Sequence, residues 1–219
     1  MSSLTRLKRT ALAATLAGAT ACASAATTPR EQEAPPPSPA APLAVMAGRP
    51  VLVLPVQYVT FSDSLSRSLQ LPLADQYLAA LDDSIATALG DRGLRSWTFA
   101  RAITASARRN AGMTADPHAV AAERLRRLVR AGDDPLSEPL ASQIRSLVAL
   151  GDARYVVLPA MLRLDNRVAG ARGSLLVYLI DARTSRIQWS GEVSGEGTTS
   201  VSQALGRVAR HFADLVVAR

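Results

Sequence analysis

The side chains suited to acid–base or metal chemistry are few and lie far apart in this chain. Its two histidines, His118 and His211, have no cysteine, histidine or carboxylate at the spacing of metal ligands. Asp82 and Asp83 are adjacent in a predicted helix, so their carboxylates diverge by roughly 100° and are poorly placed for paired acid–base work. The sequence contains neither a glycine-rich phosphate loop nor a nucleophile elbow. We therefore predict that the protein is not an enzyme and holds no metal ion and no other cofactor.

Cys22 is the residue for which the sequence indicates a covalent modification. It is the only cysteine, which excludes an internal disulfide and a cysteine metal cluster. The preceding Ala19-Thr-Ala21 matches the bacterial lipobox, in which the cysteine is lipidated and becomes the first mature residue, although a larger aliphatic residue is usual at Ala19. A second interpretation stays open, because Ala23-Ser-Ala25 fits the small-x-small rule for cleavage after Ala25. In that case Cys22 is an unmodified small residue near the cleavage site.

Positive charge is concentrated between residues 101 and 130, where seven arginines stand against two acidic residues. On a helix, Arg124 and Arg127 share one face, and Arg126 and Arg130 share another. We predict a face for an anionic partner made by Arg124, Arg127 and Arg130, which could meet lipid headgroups, glycan or an acidic protein. The alternative is an ordinary solvated helix face.

The composition is that of a folded protein without a nucleic-acid partner. The chain has 219 residues, of which 48% are hydrophobic, enough for one core. Its formal charge is +7, but Arg6, Lys8 and Arg9 lie in a segment that we predict to be removed. Without these three of the 25 basic residues, 22 remain against 18 acidic ones. This small excess and the sparse aromatic residues argue against nucleic-acid binding.

The first 48 residues predict an export signal and a tether. Residues 1–25 combine a basic start, an apolar run over residues 11–21 and small residues after it, which are the three parts of an export signal. The apolar run is too short to span a bilayer. Residues 26–48 form a linker with six prolines, which favour an extended, semi-rigid chain. The linker suits a domain held away from a membrane; a disordered tail without a mechanical role is the alternative.

Residues 49–219 predict one α/β domain. Residues 51–59 and 153–164 are apolar runs rich in β-branched residues, as in strands buried on both faces, and Pro55 predicts an interruption in the first. A strand at 174–180, a turn at 181–186 and a strand at 187–193 predict an antiparallel meander, followed by a loop at 194–198. We place Val157 and Leu176 in the core.

Helices and strands alternate in the first part of the domain. Helices are predicted at residues 74–90, 100–110, 117–131 and 139–150, a short strand at 94–99, and a last helix at 201–215 after the capping box of Ser200 and Gln203. This order indicates a mixed sheet with a parallel central pair and a C-terminal antiparallel meander, packed by helices.

Three motifs of the domain resemble those of the superfamily that contains the TolB amino-terminal domain, the curli secretion proteins and the penicillin-binding-protein activators. They are Val51-Leu-Val-Leu-Pro55, then Leu150-Gly-Asp-Ala-Arg-Tyr-Val-Val-Leu-Pro159, and the turn Asp181-Ala-Arg-Thr-Ser-Arg-Ile-Gln-Trp189. In that turn Ser185 stands where the family has glycine. Residues 101–140 depart from the pattern and look like an insertion or a rearranged helical segment.

The resemblance implies an exported, non-enzymatic module that contacts other envelope components. We therefore predict a bacterial cell-envelope lipoprotein, anchored on the periplasmic side of the outer membrane by a lipid on Cys22. Its partner is another envelope protein or an envelope polymer. The alternative is an unlipidated periplasmic or secreted protein with a small-ligand pocket at the carboxyl ends of the parallel strands. The loops predicted at 60–72 and 166–173 are the second choice for a binding surface.

Overall fold

The computed structural model describes residues 41–62, 74–127, 134–167, 170–198 and 200–218. The predicted export signal, Cys22 and Arg130 lie outside these residues, as do residues 63–72 of a predicted loop. Of Arg127 only the backbone is described. No helix in the described ranges combines the length and the apolar character needed to cross a membrane.

Helices and strands follow one another in the order that the sequence predicts, with one exception treated below. The helices are α1 (Ala74–Gly90), α2 (Ala100–Arg109), α3 (Leu140–Val148) and α4 (Val201–Val216), with short 3-10 helices at Ala44–Met46 and Glu123–Arg127. The strands are β1 (Val51–Val53), β2 (Tyr58–Phe61), β3 (Trp97–Thr98), β4 (Tyr155–Arg167), β5 (Gly170–Asp181) and β6 (Arg186–Thr198).

The strands form one mixed sheet in the order β3-β1-β4-β5-β6, with β2 also paired to β4. β1 runs parallel to both β3 and β4, and β2 runs parallel to β4. β5 is antiparallel to β4 and to β6. The predicted fold class, a mixed α/β sheet with a parallel centre and an antiparallel C-terminal meander, is confirmed.

Pro55 divides the first apolar run into two strands, as predicted. Proline offers no amide hydrogen to a ladder, so the chain leaves the sheet after β1 and returns as β2 farther along β4. The buried Gln57 side chain holds this break together. Its Nε2 donates to the carbonyl oxygens of Pro55 (2.7 Å) and Pro117 (2.9 Å), and its Oε1 accepts from the Val120 amide (3.2 Å). The break is thereby tied to the segment that follows α2.

Helices cover both faces of the sheet. On one face α1 and α4 pack through Leu81, Ile85, Leu89, Leu205, Val208 and Phe212. On the other face α2, α3 and the segment between them contribute Ile103, Val120, Leu125, Ile144 and Leu147. Val157 is fully buried, which confirms its predicted place in the core. The prediction for Leu176 is wrong in degree, because this side chain is only partly buried and lines an open groove.

The helix predicted at 117–131 is wrong for the described residues. The chain there makes turns and the 3-10 helix Glu123–Arg127. Its backbone amides are taken by distant side chains, since Val120 donates to Gln57 Oε1 and Ala121 donates to Gln143 Oε1 (2.8 Å). These tertiary hydrogen bonds replace the i to i−4 bonds of a helix.

The loops predicted at 166–173 and 194–198 are strand in their described parts. Residues 166–167 end β4, residues 170–173 begin β5, and residues 194–198 end β6. Gly195, which the sequence pattern places in a loop, marks close packing against a helix. A Cβ atom on Gly195 would lie 2.9 Å from the Ala204 carbonyl oxygen and 3.0 Å from the Val208 amide nitrogen, so α4 approaches the strand backbone directly. Thr60 and Phe61, also predicted as loop, belong to β2.

The turn between β5 and β6 is held by the side chain of Asp181 and by the backbone conformation of Ser185. Asp181 accepts hydrogen bonds from the Arg154 guanidinium, from the Arg183 amide (3.0 Å) and from the Thr184 amide (3.4 Å). The Arg154 hydrogen bond is the largest of the effects that hold the pKa of Asp181 below its usual value. Ser185 has φ +52°, the left-handed conformation that favours glycine.

Candidate functional site

The structure separates the arginines that the sequence groups together. Arg101 lies in the first turn of α2 and donates to both carboxylate oxygens of Asp83 on α1, at 2.8 Å each. Arg108 lies in the last turn of α2, while Arg124 and Arg126 lie on the 3-10 helix beside β2 and β4. Within the predicted face of Arg124, Arg127 and Arg130, the side chain of Arg124 is described, and it is exposed.

A cluster of three side chains fixes the 3-10 helix on the sheet. The Tyr58 hydroxyl donates to Glu123 Oε1 (2.8 Å), and the Arg126 guanidinium lies 4.7 Å from the centroid of the Tyr58 ring. Burial, followed by the hydrogen bond and charge of Glu123, raises the pKa of Tyr58 to about 12. The pKa of Glu123 is lowered by a backbone hydrogen bond and by Tyr58. At neutral pH this cluster therefore joins an ionised carboxylate to a neutral phenol.

Beside this cluster a groove crosses the open part of the sheet. Arg126, Met161, Arg163, Ser174, Leu176 and Glu192 line one end of it, and Glu123, Arg124, Arg126 and Met161 line an adjoining space of about 480 Å³. We call these residues the arginine groove. The side chains of Arg124 and Arg163 make no hydrogen bond and no ion pair among the described residues. The groove thus offers unpaired guanidinium groups beside the apolar side chains of Met161 and Leu176.

A second cleft opens where the parallel strands β1 and β3 end. α1 packs on one face of the sheet, and α2, which directly follows β3, packs on the other, so a crevice remains between the two helices beyond the strand ends. The crevice has a volume of about 330 Å³. Its polar lining is Asp82, Asp83, Arg101, Thr104, Arg108 and His118. We call it the α1–α2 cleft; it lies where the alternative interpretation of the sequence places a small-ligand pocket.

Asp82 and Asp83 differ sharply in environment. Asp83 is exposed and paired with Arg101, whereas Asp82 is largely buried and accepts a hydrogen bond from the Val56 amide (2.9 Å). Burial, more than any other cause, raises the pKa of Asp82 to about 7. The sequence pattern led us to weigh Asp82 only as a pair with Asp83, although its place on α1, four residues after Leu78 and three before Ile85, puts it beside the apolar stripe.

Both histidines are held by single hydrogen bonds of the ring. Thr104 donates its hydroxyl hydrogen to the Ala100 carbonyl (2.8 Å), so His118 Nε2 must donate to the Thr104 oxygen (2.9 Å). His211 Nδ1 lies 2.6 Å from the Ser194 carbonyl oxygen and donates to it. Within the described ranges no three histidine, cysteine, aspartate or glutamate side chains are grouped as metal ligands.

Comparison with known proteins gives matches among solved structures. The chain matches no family model and no curated protein sequence. The PelC dodecamer from Paraburkholderia phytofirmans matches with 16% identity over 82% of this chain and 95% of that one, TM-score 0.36. The LpoB C-terminal domain from Escherichia coli matches with 18% identity over 68% and 83%, TM-score 0.36. Lipoprotein GNA1162 from Neisseria meningitidis matches with 18% identity over 68% and 82%, TM-score 0.37.

The matched proteins are of the kind that the sequence resemblance indicates. At TM-scores of 0.36 and 0.37 the similarity between the backbones is distant. The fold of this chain is established by the strand pairings described above.

Proposed function

We propose that the protein is an exported bacterial cell-envelope lipoprotein whose α/β domain is a non-enzymatic module that binds an anionic partner through the arginine groove. The partner is another envelope protein or an envelope polymer. The observation that carries the proposal is the groove itself, in which the side chains of Arg124 and Arg163, unpaired among the described residues, stand beside Leu176 at the surface of the sheet.

The groove combines the two contributions that a binding surface needs. Guanidinium groups bind carboxylates or phosphates through two parallel hydrogen bonds and steer an anionic partner toward the surface. The partly exposed Leu176 supplies apolar area that a partner can bury, beside Met161, which is only 6% exposed. Arg126 needs little ordering on binding, because its guanidinium already lies over the Tyr58 ring.

In this proposal the amino-terminal residues direct the protein to the outer membrane and anchor it there. Residues 1–25 hold the export signal, with cleavage before Cys22, and the lipid on Cys22 anchors the chain to the periplasmic side of the outer membrane. Of the predicted linker, residues 26–40 act as the tether, because Leu43 and Met46 are buried in the core of the domain. Fully extended at about 3.1 Å per residue, residues 26–40 reach roughly 45 Å, so the domain can contact a partner away from the membrane surface.

Replacing Cys22 with serine should move the protein from the membrane fraction to the soluble envelope fraction, because serine cannot carry the thioether-linked lipid. Fractionation and mass spectrometry of the amino terminus would measure this. Ser24→Ala is the matched control and should stay with the membrane. A wild-type chain that is itself soluble and begins at Ala26 would contradict lipidation.

Replacing Arg124 and Arg163 together with serine should weaken partner binding by about 2- to 30-fold, since each exposed ion contact is worth about 0.2–1 kcal/mol. The effect should shrink at high salt, which screens exposed charges. Crosslinking in native membranes, followed by affinity recovery at equal protein abundance, would measure it. Recovery of a protein or of a polymer identifies the class of partner.

The control for this experiment is a variant with the same loss of charge elsewhere. Arg183 and Arg210 are exposed, on the β5–β6 turn and on α4. Replacing both with serine should leave recovery unchanged, and circular dichroism should show that both double variants are folded. Equal recovery by the groove variant and the wild type at low and at high salt would rule out the arginine groove as the binding surface.

A further inference from the structure

We propose that the α1–α2 cleft binds a small zwitterion, an amino acid or a short peptide with a free amino group, with the ammonium on Asp82 and the carboxylate on Arg108. This site is separate from the arginine groove and does not depend on the function proposed above.

The carboxylate of Asp82 is placed to bind the ammonium group of a ligand. The Val56 amide, just after β1, fixes its Oδ1 at 2.9 Å, while Oδ2 has no hydrogen-bond partner among the described residues. No buried side-chain oxygen or nitrogen in those residues lacks a partner. Oδ2 is therefore accessible, and Asp82 lines both the cleft and the adjoining space beside Trp97 and Phe99. A carboxylate with one fixed oxygen and one open oxygen is a strong acceptor for an ammonium group.

Arg108 supplies the opposite charge in the same cleft. It stands in the last turn of α2, and its side chain makes no hydrogen bond or ion pair among the described residues. Arg101 is different, because both oxygens of Asp83 already engage its guanidinium. The charges left over in the cleft are thus one negative and one positive, which selects a ligand that carries both signs.

The remaining groups of the cleft are neutral or engaged. Thr104 and His118 are bonded to each other (2.9 Å), and the Asp116 carboxylate beyond them accepts from the His118 amide (2.9 Å). The apolar lining consists of small side chains, Ala79, Ala100 and Ala105. A volume of about 330 Å³ lies at the small end of the range for ligand pockets. The space suits an amino acid or a short peptide.

Binding of an ammonium group should be coupled to release of a proton. Burial raises the pKa of Asp82 to about 7, and the charge of Asp83 raises it further, while Arg101, Arg108 and His118 face it from α2 and the following turn. At pH 7 roughly half the molecules then carry the proton, and a cation selects the ionised form. Affinity should therefore rise from about pH 5 to about pH 7, and for a peptide it should fall again above about pH 8, where the ligand's own amino group loses its proton.

Titration calorimetry on the mature protein tests the proposal. The probes are the free proteinogenic amino acids and L-alanyl-L-alanine, with N-acetyl-alanine and alaninamide as forms that lack one charge. At least one probe should bind at pH 7 and release about half a proton, measured in two buffers of different ionisation enthalpy. Blocking either of its charged ends, as in the two single-charge forms, should weaken binding at least about tenfold.

Variants distinguish the assigned residues from general effects. Asp82→Asn and Arg108→Gln should each weaken binding at least about tenfold, since a hydrogen bond to a charged group is lost. Asp91→Asn and Arg109→Gln remove the same charges at exposed positions outside the cleft and should bind like the wild type. The proposal is overturned if no probe binds, if the blocked forms bind as well as their parent, or if Asp82→Asn binds like the wild type.

Discussion

Replacing Phe212 with alanine lowers the free energy of unfolding by about 3–5 kcal/mol, the range for removing a fully buried phenylalanine. The Phe212 side chain is 0% exposed. It belongs to the core between the sheet, α1 and α4, where Leu205, Val208 and Val216 also lie. The loss includes both the transfer of the ring and the cavity that it leaves.

Neighbouring contacts of α4 prevent that cavity from closing. The Leu215 carbonyl accepts from the Leu43 amide (2.9 Å), and Arg92 donates to Asp214 and to the Val217 carbonyl. These bonds tie the C-terminal end of α4 to Leu43 and to Arg92. The side chains around position 212 can therefore move little to fill the cavity.

Urea denaturation followed by circular dichroism would measure the loss as a lower midpoint with an unchanged slope. Arg210→Ala, an exposed change two residues away, is the control and should stay within about 0.5 kcal/mol of the wild type. A loss below about 1 kcal/mol for Phe212→Ala would show that α4 does not pack on the sheet as described.

Replacing Asp82 with asparagine should stabilise the protein at neutral and alkaline pH, by an amount on the order of 2–4 kcal/mol. The pKa of Asp82 rises from 3.8 to about 7 on folding, chiefly through burial. Between those values the native state holds a proton that the unfolded state has lost. The free energy of unfolding therefore falls as pH rises through this window, and the penalty is complete above about pH 7.

Asparagine avoids the penalty because it does not ionise, while its side-chain oxygen still accepts from the Val56 amide. The stabilisation should be near zero at about pH 4 and grow up to about pH 7. Denaturation at a series of pH values would measure it. Asp83→Asn, which removes an exposed ion pair, should change stability by less than about 1 kcal/mol. A stabilisation independent of pH would contradict the assignment to ionisation of Asp82.

The fold was predictable where local pattern decides it. The apolar run that holds Val157 is long enough to identify a buried strand, and the missing amide hydrogen of Pro55 is enough to predict a break. The helix predicted at 117–131 failed because side chains far away in sequence, Gln57 and Gln143, take its backbone amides. Local spacing carries no record of such bonds.

The sites were predictable only in part for a related reason. Arg163 and Glu192 join the arginine groove because the registers of β4, β5 and β6 bring them to one face, and register is not visible in the spacing of arginines. The pKa of Asp82 depends on its burial, which is a tertiary quantity. By contrast, the predicted lipidation of Cys22 rests on local sequence and remains a prediction.

The strand order of the sheet also determines which strand pairings form first during folding. β4, β5 and β6 pair with strands next in sequence, through short turns, whereas β1 pairs with β3 and β4 across long stretches of chain. Local pairings form before distant ones, because closing a long loop costs more entropy. Pulsed hydrogen exchange during refolding should thus show amides of β4–β6 protected before those of β1.

During synthesis the consequence is sharper, since the chain emerges amino terminus first. The apolar segment 51–59 leaves the ribosome long before β4, the strand that both β1 and β2 require. For that interval β1 can pair only with β3, and β2 lacks the strand with which it pairs. This strand pairing thus creates a period in which a holding chaperone has a binding site on the nascent chain, and the site disappears once β4 has emerged and paired.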